Sequence, residues 1–431
     1  MNVLNTYPEI DFKTSSVIQT AQLEKLKQLL YYVSENSTYY KNLFAENSIH
    51  VHSIHSLEDF QKLPLTTKAD LAQYNEDFLC IPLSDVADFT TTSGTTGRPI
   101  ASYQSRADLD RLAYNEALSM LCTGAGSEDV FQLMTTIDKR FMAGLAYYLG
   151  IQKIGAGIVR NGPGGIPLQW DSILRFKPTV LIAIPSFIPD LIDYAEQNGI
   201  DYKNSSVQKI ICIGQPLRNE QLELNELGKA ICSRWNVELY STYASTEMAT
   251  AFTECQAGKG GHMPSELIFL EVLDEKGNHV KNGEPGEVVI TTLGVEAMPL
   301  VRYKTGDVCH YFSEPCSCGR TTPRLGPVIG RKNQMLKVKG TTIFPSAIYD
   351  AVEKVIPEPD YILEISLGDY SNDHITILID NKHIAKAENL SVRLKSSLRM
   401  MPELKFTDKQ TLRKLKFPED VRKPLKFVDK R

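Results

Sequence analysis

The sequence predicts an α/β protein. It has a large N-terminal lobe of mixed and parallel sheets with helices, a β-rich subdomain, and a small α+β unit at the C-terminus. Three observations carry this. From about residue 75 to 250, short apolar runs bounded by turn residues (180–185, 209–214) alternate with helical stretches, the pattern of βαβ units. Residues 266–312 read as consecutive strands, with turns at Asp274-Glu275-Lys276-Gly277 and Asn282-Gly283. After Gly340 the pattern starts again, with a helix over 346–356, strands over 361–367 and 373–379, and a helix over 388–400.

The elements follow in order. Leu23, Leu26, Leu29, Leu30 and Val33 recur at helical spacing within 15–46, and Asn36-Ser37 supplies a stop. A second helical region over 56–75 is broken at Leu63-Pro64. A further helix is expected over 220–235. With 42% apolar and 23% charged residues the chain has a globular composition, not a disordered one. It holds no apolar stretch long enough to cross a membrane and no signal-peptide pattern at its start. A cytoplasmic location is expected, with the eight cysteines reduced. Charge is uneven. Residues 390–431 carry thirteen Lys/Arg against five Asp/Glu, a surplus of eight, in a chain of net charge −5. Such a basic tail suits nucleic acid, a membrane surface or a phosphate-rich small molecule.

The most informative stretch is the turn Thr92-Ser93-Gly94-Thr95-Thr96-Gly97-Arg98-Pro99. Its glycines allow successive N–H groups to point inward, its hydroxyls add donors, and Arg98 adds a permanent charge, so the loop suits a polyphosphate. It lacks the Gly-Lys-Ser/Thr of a Walker A loop and the spacing of a dinucleotide fingerprint.

This turn resembles the phosphate loop of the adenylate-forming (acyl-CoA synthetase) superfamily, and the other motifs of that superfamily follow in order. Tyr243-Ala244-Ser245-Thr246-Glu247 is similar to Tyr-Gly-x-Thr-Glu, and Tyr303-Lys304-Thr305-Gly306-Asp307 to Tyr-x-Thr-Gly-Asp. Gly330-Arg331-Lys332-Asn333-Gln334-Met335 resembles the hinge, with Asn333 where an acidic residue is usual. Gly340-Thr341-Thr342-Ile343-Phe344-Pro345-Ser346, Leu63-Pro64-Leu65-Thr66-Thr67-Lys68 and the short length fit the phenylacetate–CoA ligase branch. The resemblance covers essentially the whole chain.

What it implies is a two-step reaction, with adenylation onto a non-CoA acceptor, or nucleotide-dependent regulation without turnover, as the alternatives. A carboxylate attacks the α-phosphorus of ATP to give acyl-AMP and pyrophosphate, and the thiol of coenzyme A then displaces AMP. Residues 1–332 would bind ATP and acid, and 333–431 would form a mobile cap. By resemblance, Thr92, Ser93, Gly94, Thr95, Thr96 and Gly97 wrap the phosphates. Thr246 bonds the α-phosphate and Glu247 holds Mg²⁺. Tyr243, Ala244 and Ser245 complete that nucleotide segment. Asp307 accepts the ribose hydroxyls, and Arg331 adds a ribose or phosphate contact. Gly214-Gln215-Pro216 is similar to the adenine segment Gly-Glu-Pro, with Gln for Glu. Lys423 matches the catalytic lysine of the C-terminal motif, although Arg422 replaces the preceding glycine and Lys414, Lys416 and Lys426 are neighbours. Lys339 and Gly340 would face the CoA side. Phe141, Ala143, Gly144, Tyr147 and Tyr148, with Ile184 and Pro185, would line a flat aromatic slot, so the expected substrate is a small aryl carboxylic acid. The tail then reads as a phosphate-handling surface; no nucleic acid or membrane partner is expected, and the 15–46 helix offers a surface for a homodimer.

Cys255-x6-His262 and Cys316-x-Cys318 form two short ligand pairs suited to a closed structural Zn²⁺ site. Gly258, Gly260 and Gly261 let the first pair curl, and Pro315 and Gly319 bracket the second. Cys309-His310 is a rival pair, and free core thiols are the alternative.

Overall fold

The structure is a computed structural model of the 431-residue chain. It describes residues 3–92, 100–332, 336–338, 341–343, 345–356, 360–367, 373–398, 401–418 and 425–430. The chain divides into two compact units, the first running to Pro327 and the second made chiefly of Val328–Arg431, with Gly306–Val308 counted in the second.

The strands, in chain order, are β1 (Asp88–Thr91), β2 (Ala101–Gln104), β3 (Val130–Leu133), β4 (Gly157–Arg160), β5 (Val180–Ala183), β6 (Lys209–Ile213), β7 (Glu238–Ser245), β8 (Thr250–Glu254), β9 (Gly261–His262), β10 (Ile268–Leu273), β11 (Pro285–Thr292), β12 (Tyr303–Phe312) and β13 (Arg324–Arg331). After them come β14 (Leu336–Val338), β15 (Thr341–Ile343), β16 (Tyr361–Leu367), β17 (Asp373–Asp380), β18 (Glu403–Thr407) and β19 (Phe427–Asp429). Among the described residues eleven strands form one sheet, in the order β10-β11-β12-β13-β9-β8-β7-β6-β5-β3-β4. Pairing from β4 through β7 is parallel, and from β7 to β9 antiparallel.

The parallel half is apolar on both faces, which is why its strands are continuous hydrophobic runs. Leu181 and Ala183 of β5 and Ile210 and Cys212 of β6 face one core, with Trp170, Trp235 and the Ile188–Gln197 helix. Val180, Ile182, Ile211 and Ile213 face the other, with Ala117, Met120, Tyr147 and Ile151 of the Arg106–Cys122 and Met142–Lys153 helices. Trp170 and Trp235 stack with centroids 5.7 Å apart.

The 15–46 region is two helices, Ser15–Asn36 and Thr38–Glu46, separated where Ser37 accepts from the Tyr40 N–H as an N-cap. The helix expected over 220–235 starts only at Glu226. Before it the Asn219 side chain accepts from the N–H groups of Gln221 and Glu223, Arg218 bridges to Leu224, and Asn225 caps the helix. Local asparagine bonds outcompete the helix there. Among the described residues no helix is long and apolar enough to cross a membrane.

In the second unit β16 and β17 pair antiparallel, flanked by parallel β19 and β18. Tyr361, Leu363 and Ile365 face Ile379, Ile377 and Ile375 across the pair, and these alternate residues make the core with Ile348, Val352, Leu390 and Leu394.

Candidate functional site

The C-terminal ends of β5, β6 and β7 lie side by side, because Ala183 pairs with Cys212 and Ile213 with Thr242 in parallel register. Two predicted segments, Ile184-Pro185 and Gly214-Gln215-Pro216, leave the sheet at these strand ends, and the third, Tyr243 to Glu247, ends β7 and turns off it. Open α/β sheets bind ligands at such strand ends. Gly214 has φ +73°, a left-handed conformation that turns the chain sharply off β6. The Gln215 side-chain carbonyl accepts from the Ser186 N–H at 3.2 Å, fastening one exit segment to the next. The Pro216 carbonyl accepts from Asn225 Nδ2 at 2.9 Å.

Tyr243, Ala244 and Ser245 end β7, with Tyr243 opposite Phe252 and Ala244 opposite Ala251. The chain then turns through Thr246–Ala249. Ser245 Oγ accepts from the Met248 N–H, and Ala249 has φ +44°. Arg111 braces this turn from behind. Its guanidinium donates to the carbonyls of Ala249 (2.6 Å), Leu267 (2.6 Å) and Leu293 (2.7 Å) and to Thr250 Oγ1 (2.9 Å). Burial lowers Arg111 to about 10, which still leaves it cationic at neutral pH. A small cavity lies beside the turn, lined by Gln104, Arg111, Thr246 and Glu247 and by the apolar Leu112 and Met298. Sequence reasoning assigned no role to Arg111 or to Lys68, whose ammonium lies 3.6 Å from Glu247 Oε1. Their only sequence signals are a basic residue in the 106–122 helix and the Thr-Thr-Lys stretch, and neither shows its partner. Glu247 is mostly buried, and its carboxylate oxygens suit a hard cation such as Mg²⁺.

Thr92 is buried; its N–H donates to the Ile100 carbonyl at 2.9 Å and its hydroxyl accepts from the Ile100 N–H at 3.0 Å. Ser93, Gly94, Thr95, Thr96 and Gly97, with Arg98 and Pro99, lie outside the described residues, as do Asn333, Lys339, Gly340 and Lys423. In the second unit, Arg331 Nε donates to Asp307 Oδ1 at 3.1 Å, which joins the two residues predicted to hold the ribose.

The predicted acid pocket is partly core. Ala143, Ile184, Tyr147 and Ile213 pack in one cluster. Gly144 is required for packing, since a Cβ there would meet the Thr136 carbonyl oxygen at 1.9 Å. Phe141 caps the Met142–Lys153 helix, Pro185 is buried, and Tyr148 lies under the Arg160 guanidinium at 5.4 Å. Behind Tyr147, burial pushes the Glu116 carboxyl up to about 8, so it is mainly protonated at neutral pH.

The four predicted metal ligands converge. Donor atoms of Cys255, His262, Cys316 and Cys318 all lie within 4.8 Å of one another. Cys255 Sγ and Cys316 Sγ are 3.7 Å apart, and Cys318 Sγ and His262 Nε2 3.5 Å. A tetrahedral ion with bonds of ~2.3 Å to sulfur and ~2.0 Å to nitrogen requires separations of about 3.7 and 3.5 Å. Burial, with Arg320 and Arg324 nearby, pushes His262 down to about 3 and keeps its imidazole neutral, as a ligand must be. Burial raises Cys318, but hydrogen bonds led by the Arg320 backbone N–H and guanidinium outweigh it and hold the thiol below its usual range. The donor set fits Zn²⁺. The rival His310 instead bonds the Gly283 carbonyl (2.9 Å) and Glu220 (3.4 Å).

A family model described as AMP-binding enzyme matches residues 24–297. The phenylacetate-coenzyme A ligase of Thermus thermophilus is 29% identical over 357 residues, 81% of this chain and 78% of that protein. The phenylacetate-coenzyme A ligase of Aromatoleum evansii is 28% identical, covering 86% of this chain and 83% of that one. Among solved structures, 2-hydroxyisobutyryl-CoA ligase in the postadenylation state superposes with TM-score 0.84 at 22% identity, over 98% of this chain and 92% of that one. The o-succinylbenzoate CoA synthetase of Bacillus subtilis with its acyl-adenylate gives TM-score 0.60 at 16% identity, over 76% and 67%.

Proposed function

Because the chain belongs to the AMP-binding enzyme family, we propose that it is an ATP-dependent acid–CoA ligase working through an acyl-adenylate, with a small aryl carboxylic acid as substrate. The observation that carries this reading is the meeting at one sheet edge of the segments predicted for acid (Ile184-Pro185), adenine (Gly214–Pro216) and phosphate (Tyr243–Glu247).

The attack of a carboxylate on ATP brings anions together and expels one, so charge must be neutralised at the phosphates. Thr246 donates its hydroxyl to the α-phosphate. Residues 92–97 supply N–H and hydroxyl donors to the β- and γ-phosphates. Glu247 would hold Mg²⁺, which supplies charge neutralisation to the phosphates when bound. Lys68 balances Glu247 and keeps a second positive charge at the turn. Asp307, oriented by Arg331, accepts the ribose hydroxyls. Gln215 offers an amide where a charged group is usual, and its carbonyl is already engaged by Ser186. Lys423 serves adenylation, and Lys339-Gly340 the CoA side once the 333–431 domain has turned. Cys255, His262, Cys316 and Cys318 would hold a structural Zn²⁺, with all four positions filled by protein and none open for chemistry.

A pyrophosphate-release screen over aryl and short alkyl acids, with and without CoA, tests the reading. Pyrophosphate release with an aryl acid and AMP release on CoA addition are expected. Turnover with alkyl acids alone would overturn the aryl assignment, and AMP release independent of CoA the acceptor. Glu247→Gln is expected to lower kcat/KM for Mg·ATP by about tenfold or more and to raise the Mg²⁺ concentration needed for half-maximal rate. An unchanged Mg²⁺ dependence would remove Glu247 from the metal position.

A further inference from the structure

Cys318 has a neighbour that the ligand set does not explain. Arg320 is buried, and its Nη1 donates to Cys318 Sγ at 3.4 Å. Its guanidinium carbon lies 3.9 Å from the centroid of the Tyr7 ring and 5.2 Å from that of Phe12. Among the described residues no carboxylate forms an ion pair with it, and its Nε is buried without a hydrogen-bond partner. The other arginine beside the cluster, Arg324, is paired with Glu314 at 2.8 Å. A buried cation held by two aromatic faces and a sulfur is expensive unless a negative charge sits beside it.

The loaded centre supplies that charge. Three thiolates, one neutral imidazole and a divalent ion sum to one net negative charge in a buried site. We propose that Arg320 is the counter-ion of the Cys255/His262/Cys316/Cys318 centre, and that through Tyr7 and Phe12 it makes docking of the N-terminal segment depend on the bound metal. The proposal rests on the structural zinc reading above.

The segment is built for this coupling. Tyr7 packs against Cys122, Cys255 and Cys316, and its ring meets Phe12 edge to face at 6.1 Å. The Asp11 carbonyl accepts from the Thr321 N–H at 2.9 Å, one residue past Arg320. The Cys316 and Gly319 backbones close the turn that aims Arg320, with Cys316 N–H bonded to the Arg320 carbonyl and Gly319 N–H to the Cys316 carbonyl, both at 2.9 Å. The N–H···S bond orients the sulfur and spreads its charge, while the aromatic faces fix the guanidinium plane. Without the ion, the net counter-charge that holds Arg320 between the rings is weakened, and the segment keeps only its backbone bonds and the Asp11–Ser265 contact.

The test uses the full-length, zinc-loaded protein. Zinc transfer to a chromogenic chelator is followed in the parent, Arg320→Met and Arg320→Lys, alongside limited chymotrypsin digestion read by mass spectrometry. Arg320→Met is expected to release zinc about 10–100-fold faster, the usual size of such outer contacts, and to be cut after Phe12; the Tyr7-Pro8 bond itself resists chymotrypsin. Arg320→Lys keeps the charge without the planar fork and is expected to fall between. Stripping zinc from the unmutated parent is expected to expose the same cleavage site, which needs no variant to fold. Zinc release from Arg320→Met at the parental rate, or a stripped parent that stays uncut, would overturn the proposal while leaving the zinc site intact. A parent purified without zinc would overturn the zinc reading itself, and this inference with it.

Discussion

Lys423→Ala is expected to slow acyl-adenylate formation by about 10²–10³-fold while leaving thioester formation from supplied acyl-adenylate within a few-fold. The asymmetry follows from charge. In adenylation the α-phosphoryl group carries extra negative charge as the carboxylate enters and pyrophosphate leaves, so a donor aimed at it acts mainly in the transition state. In the second step AMP leaves from a carbonyl carbon, and the same lysine has less to stabilise. Two of the neighbouring lysines have other work. Lys426 pairs with Glu353 at 3.1 Å, and Lys416 is buried against the Tyr361 ring. ATP–pyrophosphate exchange measures the first step, and thioester formation from synthetic acyl-adenylate the second. Equal loss of both would show that Lys423 supports the domain and does not serve adenylation.

Cys316→Ser is expected to drop bound zinc from about one ion per chain to well below that, and to cost about 3–5 kcal/mol of stability, roughly 3–6 °C in Tm for a chain of this size. Metal binding to a site that does not exist in the unfolded chain is folding free energy, and this site ties together β8, β9 and the 316–320 turn. The cost reaches the nucleotide segment as well. Glu254 adjoins Cys255, accepts from Arg218 Nε at 2.6 Å and from the Ser241 N–H at 3.0 Å, and Arg218 lies two residues past Pro216. KM for ATP is therefore expected to rise several-fold. Cys232→Ser, an exposed thiol away from the cluster, serves as the control and is expected to change neither metal content nor Tm. Metal analysis with a thermal melt reads both. Full zinc retention in Cys316→Ser would remove that residue from the ligand set.

Much of this was legible in the chain because its signals are local. The runs of β5 and β6, buried on both faces, read as parallel strands. Gly214 and Gly306 mark turns at which φ is positive, +73° and +76°. The helix forecast over 220–235 failed where a local signal was overlooked, since Asn219 and Asn225 organise that stretch through their own side-chain bonds. Gly144, predicted to line the acid slot, also serves packing, because the space a side chain would take there is filled by the Thr136 carbonyl.

The sequence by itself determined the fold class, the order of the nucleotide motifs and the two halves of the Cys/His cluster, because each rests on residues within a few positions of one another. Only the tertiary structure decided which groups meet. Lys68 finds Glu247 across 179 residues, Arg111 finds the carbonyls behind the Thr246 turn, and Arg320 finds Tyr7 across more than three hundred. Such pairings depend on sheet order and on which face each side chain takes, and no local periodicity encodes them. The charges that surround a site are set by the fold, even where the site's own residues are plain in the sequence.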